Sequence, residues 1–154
     1  MTSPLKRTTL DDGTPFPMGN GRSRAVLSPA VGMTRITLNN SFFDDGDEFP
    51  QHRHDSSEDC MVVLHGAVSF KQGTHLKTIA EGDYAWVPIA EVHGTLNDSG
   101  GPAELISFQS PPDLALYRGD RNKTAGEVPV PEGDLLARTA ALWSGAGDAA
   151  QRPV

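Results

Sequence analysis

Short runs of apolar residues alternate with polar residues through the middle of the chain, from about residue 24 to residue 109. The runs are rich in Val, Ile, Leu and aromatic residues, and they are separated by Gly, Pro, Asp and Asn, which favour turns. They predict strands at residues 25–28, 33–39, 59–64, 67–71, 76–80, 84–87, 92–96 and 103–109. Many short strands at close spacing, with almost no helical periodicity, indicate an all-β barrel or sandwich.

Glycine and proline mark the connections between these strands. Gln72-Gly73-Thr74 and Glu81-Gly82-Asp83 each place a glycine between polar residues and predict hairpin turns. Pro111-Pro112 ends the last strand, because proline has no backbone donor for a sheet.

The two ends of the chain differ from this central region. Residues 1–23 are rich in Pro and Gly and predict an irregular N-terminal arm with a short edge strand. Residues 24–110 are expected to form the barrel and residues 111–154 a C-terminal extension. Within that extension, good helix formers with leucines at helical spacing predict a short helix over about 134–143. We expect this helix to pack on the outside of the barrel or on a second subunit.

Composition narrows the classes of function. A chain of 154 residues suits one domain, and its net charge of −7 provides no basic surface for a nucleic acid. The N-terminus lacks the apolar run of a secretory signal, and no stretch approaches the roughly 20 apolar residues that span a bilayer. We therefore expect a cytoplasmic protein with neither a membrane nor a nucleic acid as partner. The single cysteine, Cys60, cannot form an internal disulfide.

Three of the five histidines fall in two short motifs. The first motif runs from Gly46 through His52 and His54 to Gly66, and the second contains His93. Histidines two residues apart share one face of a strand, because successive side chains alternate sides. Three imidazoles together with a carboxylate make a mononuclear metal site.

The two motifs resemble the signature motifs of the cupin superfamily over roughly residues 33 to 110. The positions shared in type and spacing are Gly46, His52, His54, Gly66, Gly82, Pro88, His93 and Asn97. Ala90 stands where the family pattern has a glycine. The resemblance implies a double-stranded β-helix barrel, jelly-roll-like, with a metal ion bound inside it by the histidines of both motifs and by a carboxylate.

The carboxylate of the first motif is either Asp59 or Glu58. Asp59 has the family's spacing to Gly66, whereas Glu58 has its spacing from His54. Alternation along a strand lets only one of the two face inward, and we favour Asp59. Because Asp is one methylene shorter than Glu, Asp59 either holds the metal or sits just outside its coordination shell. A bulge would instead bring in Glu58, which is also a candidate catalytic acid or base.

Imidazole and carboxylate ligands suit Fe(II), Mn, Ni, Cu and Zn, among which we favour Fe(II). The leading hypothesis is a dioxygenase that acts on a small organic compound bearing carbonyl or hydroxyl groups. The alternative is a non-redox isomerase, lyase or polyketide cyclase that uses Zn or Ni as a Lewis acid, and residues 108–117 resemble the tails of such cyclases. A third hypothesis is a barrel that binds a small ligand without turnover.

Four residues are candidates for the wall of a substrate pocket: Met61, Val63, Thr95 and Phe108. These side chains are bulky and apolar, with one hydroxyl, which indicates a small, largely apolar organic substrate. Tyr84 and Trp86 share one strand face, which favours packing in the core or at an interface. The resemblance also implies a homodimer formed through outer strands, with the N-terminal arm covering an edge that would otherwise be exposed.

Overall fold

The computed structural model describes residues 8–113, which form ten strands in two antiparallel sheets. In chain order the strands are β1 (Thr14–Met18), β2 (Gly21–Leu27), β3 (Thr37–Phe43), β4 (Glu48–His52), β5 (Glu58–His65), β6 (Ala67–Gln72), β7 (His75–Ala80), β8 (Tyr84–Val87), β9 (His93–Leu96) and β10 (Ala103–Ser110). Single turns of 3₁₀-helix cover Leu10–Asp12 and Pro29–Val31. The larger sheet has the order β1-β2-β3-β10-β5-β8 and the smaller one β4-β9-β6-β7. The predicted all-β fold is therefore confirmed, whereas the helix expected over 134–143 lies outside the described residues.

An apolar core fills the space between the two sheets. Its largest members come from opposite sides: Phe16 and Phe43 from the larger sheet, and Phe49 and Phe70 from the smaller one. Burial of apolar area stabilises such a core by about 25 cal/mol per Å² removed from water. Among residues 8–113, no helix has the length and apolar character needed to cross a bilayer.

Strand β4 was not among the predicted strands. Pro50 lies within it, and proline normally argues against a strand because it cannot donate to a sheet. β4 is an edge strand that pairs only with β9, so one side of its backbone needs no partner. The strand predicted at 33–39 is also displaced, because the chain after Gly32 enters β3 only at Thr37.

One of the two predicted hairpin turns is correct. The turn at Gly73 joins β6 to β7, which pair along their whole length. The turn at Gly82 instead carries the chain from β7 in the smaller sheet to β8 in the larger sheet, so it is not a hairpin. Its backbone bonds to β5: Gly82 N donates to Val63 O, and Val63 N donates to Asp83 O, both at 3.0 Å.

The described part of the N-terminal arm belongs to the barrel of its own chain. β1 forms the edge of the larger sheet and pairs with β2 from Thr14 to Met18. Phe16 is buried and joins the core between the sheets. The arm thus contributes an edge strand, as expected.

The outer face of β8 is exposed. Tyr84 is 72% exposed and Trp86 is 56% exposed, so the expectation of core packing for these two side chains was wrong. They point outward because the inward positions of β8 are taken by the smaller Ala85 and Val87. Packing at an interface and the homodimer implied by the resemblance stay predictions.

Ala90 has a left-handed backbone with φ 66°, a region where a Cβ costs about 1–2 kcal/mol. Replacing it by glycine should raise the free energy of unfolding by about 0.5–1 kcal/mol, once the greater freedom of unfolded glycine is subtracted. Urea titration would measure this change. The control is Ala80→Gly, at an exposed strand position without a left-handed backbone, where stability should fall. An equal fall in both variants would contradict the prediction.

Candidate metal centre

The barrel brings His52, His54 and His93 together at one end of the space between the sheets. His52 closes β4 and His93 opens β9, and the two are register partners across these strands. His54 follows two residues after His52. All three are buried, with exposures of 3%, 2% and 1%, and one ring nitrogen from each lies within 4.8 Å of the others.

Each of the three imidazoles is held from behind by its Nδ1 atom. His52 Nδ1 lies 3.0 Å from the carbonyl oxygen of Pro50, and His93 Nδ1 lies 3.0 Å from that of Glu91. His54 Nδ1 lies 2.8 Å from the Oδ2 atom of Asp113. Carbonyl and carboxylate oxygens only accept, so each Nδ1 carries the proton and each Nε2 presents a lone pair.

The converging lone pairs need a positive charge between them. His52 Nε2 and His54 Nε2 lie 3.2 Å apart in a buried site, and neither carries a proton when both rings are neutral. Two acceptors at this distance repel each other unless a proton or a metal ion lies between them. For metal–nitrogen bonds of about 2.1 Å, ligands at right angles are about 3 Å apart, which this spacing matches. The three buried histidines could therefore hold a metal ion.

Asp59 completes the cluster and Glu58 does not. Asp59 is buried, and its Oδ2 atom lies 3.5 Å from His54 Nε2 and 3.7 Å from His93 Nε2. Within the described residues, Asp59 Oδ1 and His93 Nε2 are buried without a hydrogen-bond partner, which is the condition expected of atoms that face an ion. Glu58 is exposed on the other face of β5 because side chains alternate. It therefore does not face this site as a catalytic acid or base.

The charges of the cluster follow from burial and from these contacts. Burial, with the neighbouring His93 and His54, lowers the pKa of His52 well below its usual range. Burial also acts to lower the pKa of His54, but its bonds to Asp113 and Asp59 outweigh that effect and raise it. For Asp59 the desolvation effect is opposed by His54 and His93, which lower its pKa to about 2. The site thus favours an anionic carboxylate beside the imidazoles.

A narrow cavity of about 20 Å³ reaches the cluster. His52, Asp59 and the predicted wall residues Met61 and Thr95 line it. The rest of its lining is apolar at Phe16, Phe43, Phe49 and Leu105, and polar at Asn39, Ser41, Ser107 and Gln109.

The other two predicted wall residues lie elsewhere. Val63 is buried in the apolar core instead of lining the cavity. Phe108 is half-buried on the outer face of β10, because alternation turns its neighbours Ser107 and Gln109 inward. The inward face of β10 is mixed: Ala103 and Leu105 join the apolar core, and Ser107 and Gln109 supply polar groups to the cavity.

Polar side chains on β3 and β10 form pairs inside the barrel. Asn39 Nδ2 donates to Ser107 Oγ, and Thr37 Oγ1 donates to Gln109 Oε1, both at 3.3 Å. Gln109 Nε2 in turn donates to Asp59 Oδ2 at 3.5 Å. Their signal in the sequence is a run of polar residues at alternate strand positions, which a hydrophobic pattern assigns to the solvent side.

Asn97 has a structural role. Its buried side chain donates to the carbonyl oxygens of Phe43 and Gly101 and accepts from Ser99, so it braces the loop between β9 and β10. The exposed His65 and His75 lie away from the cluster.

The family described as Cupin domain matches residues 42–108, which includes all three histidines and Asp59. No curated protein matches the sequence at a significant level.

Solved structures resemble the fold at low identity. The polyketide cyclase RemF from Streptomyces resistomycificus aligns with a TM-score of 0.61 at 18% identity, over 79% of this chain and 97% of that one. A predicted oxalate decarboxylase from Thermotoga maritima gives 0.60 at 17%, over 70% and 100%. A sugar phosphate isomerase of the cupin superfamily from Silicibacter pomeroyi gives 0.59 at 19%, over 68% and 75%. At such identities these likenesses establish the fold alone.

Replacing His93 by alanine should abolish stoichiometric metal binding, because one of three converging imidazoles is lost. We expect the dissociation constant to rise by more than about 100-fold, since even outer partners of a ligand contribute about 10- to 100-fold. Elemental analysis after dialysis of protein purified without chelator would measure occupancy. His75→Ala, which removes an exposed histidine, is the control. Normal occupancy in the His93 variant would contradict the ligand assignment.

Proposed function

We propose that the protein is a metal-dependent enzyme with one divalent ion at its histidine cluster, because residues 42–108 match the Cupin domain family. The observation that carries the proposal is the convergence of three buried imidazoles, each tethered through Nδ1 so that its Nε2 atom presents a lone pair when the ring is neutral. The Oδ1 atom of Asp59, buried without a hydrogen-bond partner, would offer an oxygen ligand from the opposite sheet.

The residues at the site fit such an ion. His52, His54 and His93 would hold it, and Asp59 would supply a fourth ligand or accept a hydrogen bond from a group beside it. A bound ion of this kind polarises a coordinated oxygen or, if it is iron, brings an organic compound and dioxygen to one centre. Fe(II) remains our choice among the metals that imidazole and carboxylate suit.

The lining of the cavity supports an uncharged substrate that carries oxygen atoms. No Lys or Arg lines the cavity among the described residues, so a phosphate or carboxylate group would find no fixed positive charge other than the ion. β3 and β10 offer amides and hydroxyls from Asn39, Ser107 and Gln109, and the remaining lining is mainly apolar. A compact, apolar compound with a few hydroxyl or carbonyl groups suits this mixed lining.

Dioxygenase chemistry requires the fewest additional groups. Glu58 lies on the outer face. Among the described residues, the titratable side chains that line the cavity are His52 and Asp59, and both belong to the cluster. A reaction that needs a separate general acid or base would have to take it from the ligand set. A reaction in which the ion binds both the organic compound and dioxygen does not need one. We therefore propose an Fe(II)-type dioxygenase.

The non-redox alternative depends on the position of Asp59. Its Oδ2 atom stands 3.5 Å and 3.7 Å from the two nearest Nε2 atoms, and aspartate is shorter than the glutamate of the family pattern. If its carboxylate stays outside the coordination shell, it is an ionised base beside a Lewis acid. That arrangement suits an isomerase, lyase or cyclase with Zn or Ni.

Metal analysis and an oxygen assay separate the two reactions. Protein purified without chelator should contain iron and should consume dioxygen when supplied with diketones, phenols or hydroxyketones, and turnover should stop under anaerobic conditions. Turnover with zinc or nickel that persists without oxygen would favour the Lewis-acid alternative instead. Protein that holds no stoichiometric metal but retains a ligand tightly would overturn both and indicate a binding protein.

Asp59→Asn reports on the role of the carboxylate. If Asp59 is a ligand, the variant should bind the metal more than about 100-fold more weakly, since even outer partners of a ligand contribute about 10- to 100-fold. If Asp59 is a base outside the shell, the loss of affinity should stay within or below that range while turnover is lost. Chelator competition measures the affinity, and product formation measures turnover. Glu58→Gln, the same loss of charge on the exposed face of β5, is the matched control.

A further inference from the structure

We infer that Asp113 is a positioning residue of the metal centre, which acts through His54 by fixing the ring so that its Nε2 lone pair faces the ion. The inference rests on the proposed metal binding, but not on which reaction the metal supports. Asp113 follows the last strand and belongs to neither histidine motif. Its Oδ2 atom accepts a hydrogen bond from His54 Nδ1 at 2.8 Å.

His54 differs from the other two histidines in its tether. His52 and His93 each donate Nδ1–H to the backbone carbonyl two residues earlier, a contact that the strand itself provides. His54 lies beyond the end of β4, and its acceptor is a side chain 59 residues away in sequence. Asp113 supplies the acceptor behind the His54 ring, so the orientation of this ring depends on the segment after β10.

The Asp113 carboxylate holds its imidazole more strongly than a backbone carbonyl would. Asp113 is 9% exposed and His54 is 2% exposed, so their hydrogen bond is shielded from water. A charge-assisted bond of this kind is shorter and about twice as strong as a neutral one. A carboxylate behind a ligating imidazole also raises the basicity of the ring and therefore its affinity for a metal. The imidazole of His54 is thus the strongest electron-pair donor of the three.

The segment that carries Asp113 is anchored at the end of β10 and at the first of its prolines. Ser110 Oγ donates to the carbonyl oxygen of Arg35, in the segment before β3, at 2.9 Å. The hydroxyl of the buried Ser57, which follows His54 by three residues, donates to the carbonyl oxygen of Pro111. The Ser57 bond holds this segment against the loop that contains His54, and the Asp113 carboxylate lies behind the ring.

Two substitutions separate the hydrogen bond from the charge. Asp113→Asn keeps an oxygen acceptor but removes the charge, and Asp113→Ala removes both. Zinc affinity of the full chain, measured by competition with a chelating dye, should fall about 10-fold in Asp113→Asn and up to about 100-fold in Asp113→Ala, the range seen for outer partners of metal ligands. Asp55→Asn is the matched control, because Asp55 adjoins His54 in sequence but is exposed and bonded to Arg53.

A second measurement follows the proton on Nδ1 of His54. With cobalt(II) at the site, the His54 Nδ1–H should give a shifted, slowly exchanging proton NMR signal in the wild type and in Asp113→Asn. In Asp113→Ala it should be lost by exchange with water. Because this signal belongs to one ring, a general loss of stability would not remove it selectively. Should the alanine variant fail to fold, the asparagine variant carries the test through its zinc affinity.

The outcomes distinguish this inference from the proposed function. Wild-type affinity for zinc in both Asp113 variants, together with an unchanged proton signal, would overturn the role of Asp113 and leave the metal site intact. A wild-type protein that binds neither zinc nor cobalt would overturn the metal site and the inference together. Weakened zinc binding in the Asp113 variants, with normal binding in Asp55→Asn, is the result we expect.

Discussion

The structure depends on one electrostatic constraint, the convergence of three imidazole lone pairs at a buried point. Each ring is turned to that point by a bond from Nδ1 to an oxygen that can only accept. Burial forbids water from relieving the repulsion between His52 Nε2 and His54 Nε2, which lie 3.2 Å apart. A cation is the simplest group that satisfies this geometry, and the pairing of β4 with β9 fixes it by making His52 and His93 register partners.

The second organising feature is a polar stretch on the inner faces of two strands. Beside the inward Phe43 and Leu105, β3 and β10 turn amides and hydroxyls inward, and Leu38, Ile106 and Phe108 are half-buried on the outer face. A buried polar group is costly unless it is hydrogen-bonded, and cross-strand pairs such as Asn39 with Ser107 meet that requirement. The stability of the barrel interior is therefore compatible with a polar cavity wall, which an organic substrate with oxygen atoms can use.

Carboxylates then decide the chemistry around His54. Asp59 faces its Nε2 atom at 3.5 Å, and Asp113 holds its Nδ1 atom at 2.8 Å, so the ring lies between two buried acids. Glu58 is excluded because it occupies the opposite face of β5. Whether Asp59 binds the ion or stands beside it as a base separates the two classes of reaction. Asp113 influences either class in the same way, by orienting a ligand.

The sequence by itself determined what depends on local spacing. Motif intervals identified His52, His54 and His93, and alternation on β5 allowed only one of Asp59 and Glu58 to face inward, because peptide geometry makes these relations independent of the rest of the chain. Only the tertiary structure decided which face of β10 lines the cavity, that the turn at Gly82 crosses between sheets, and that Asp113 returns to His54. Those outcomes depend on what lies across the barrel, and contacts between distant segments leave no periodic signal in the residues that make them.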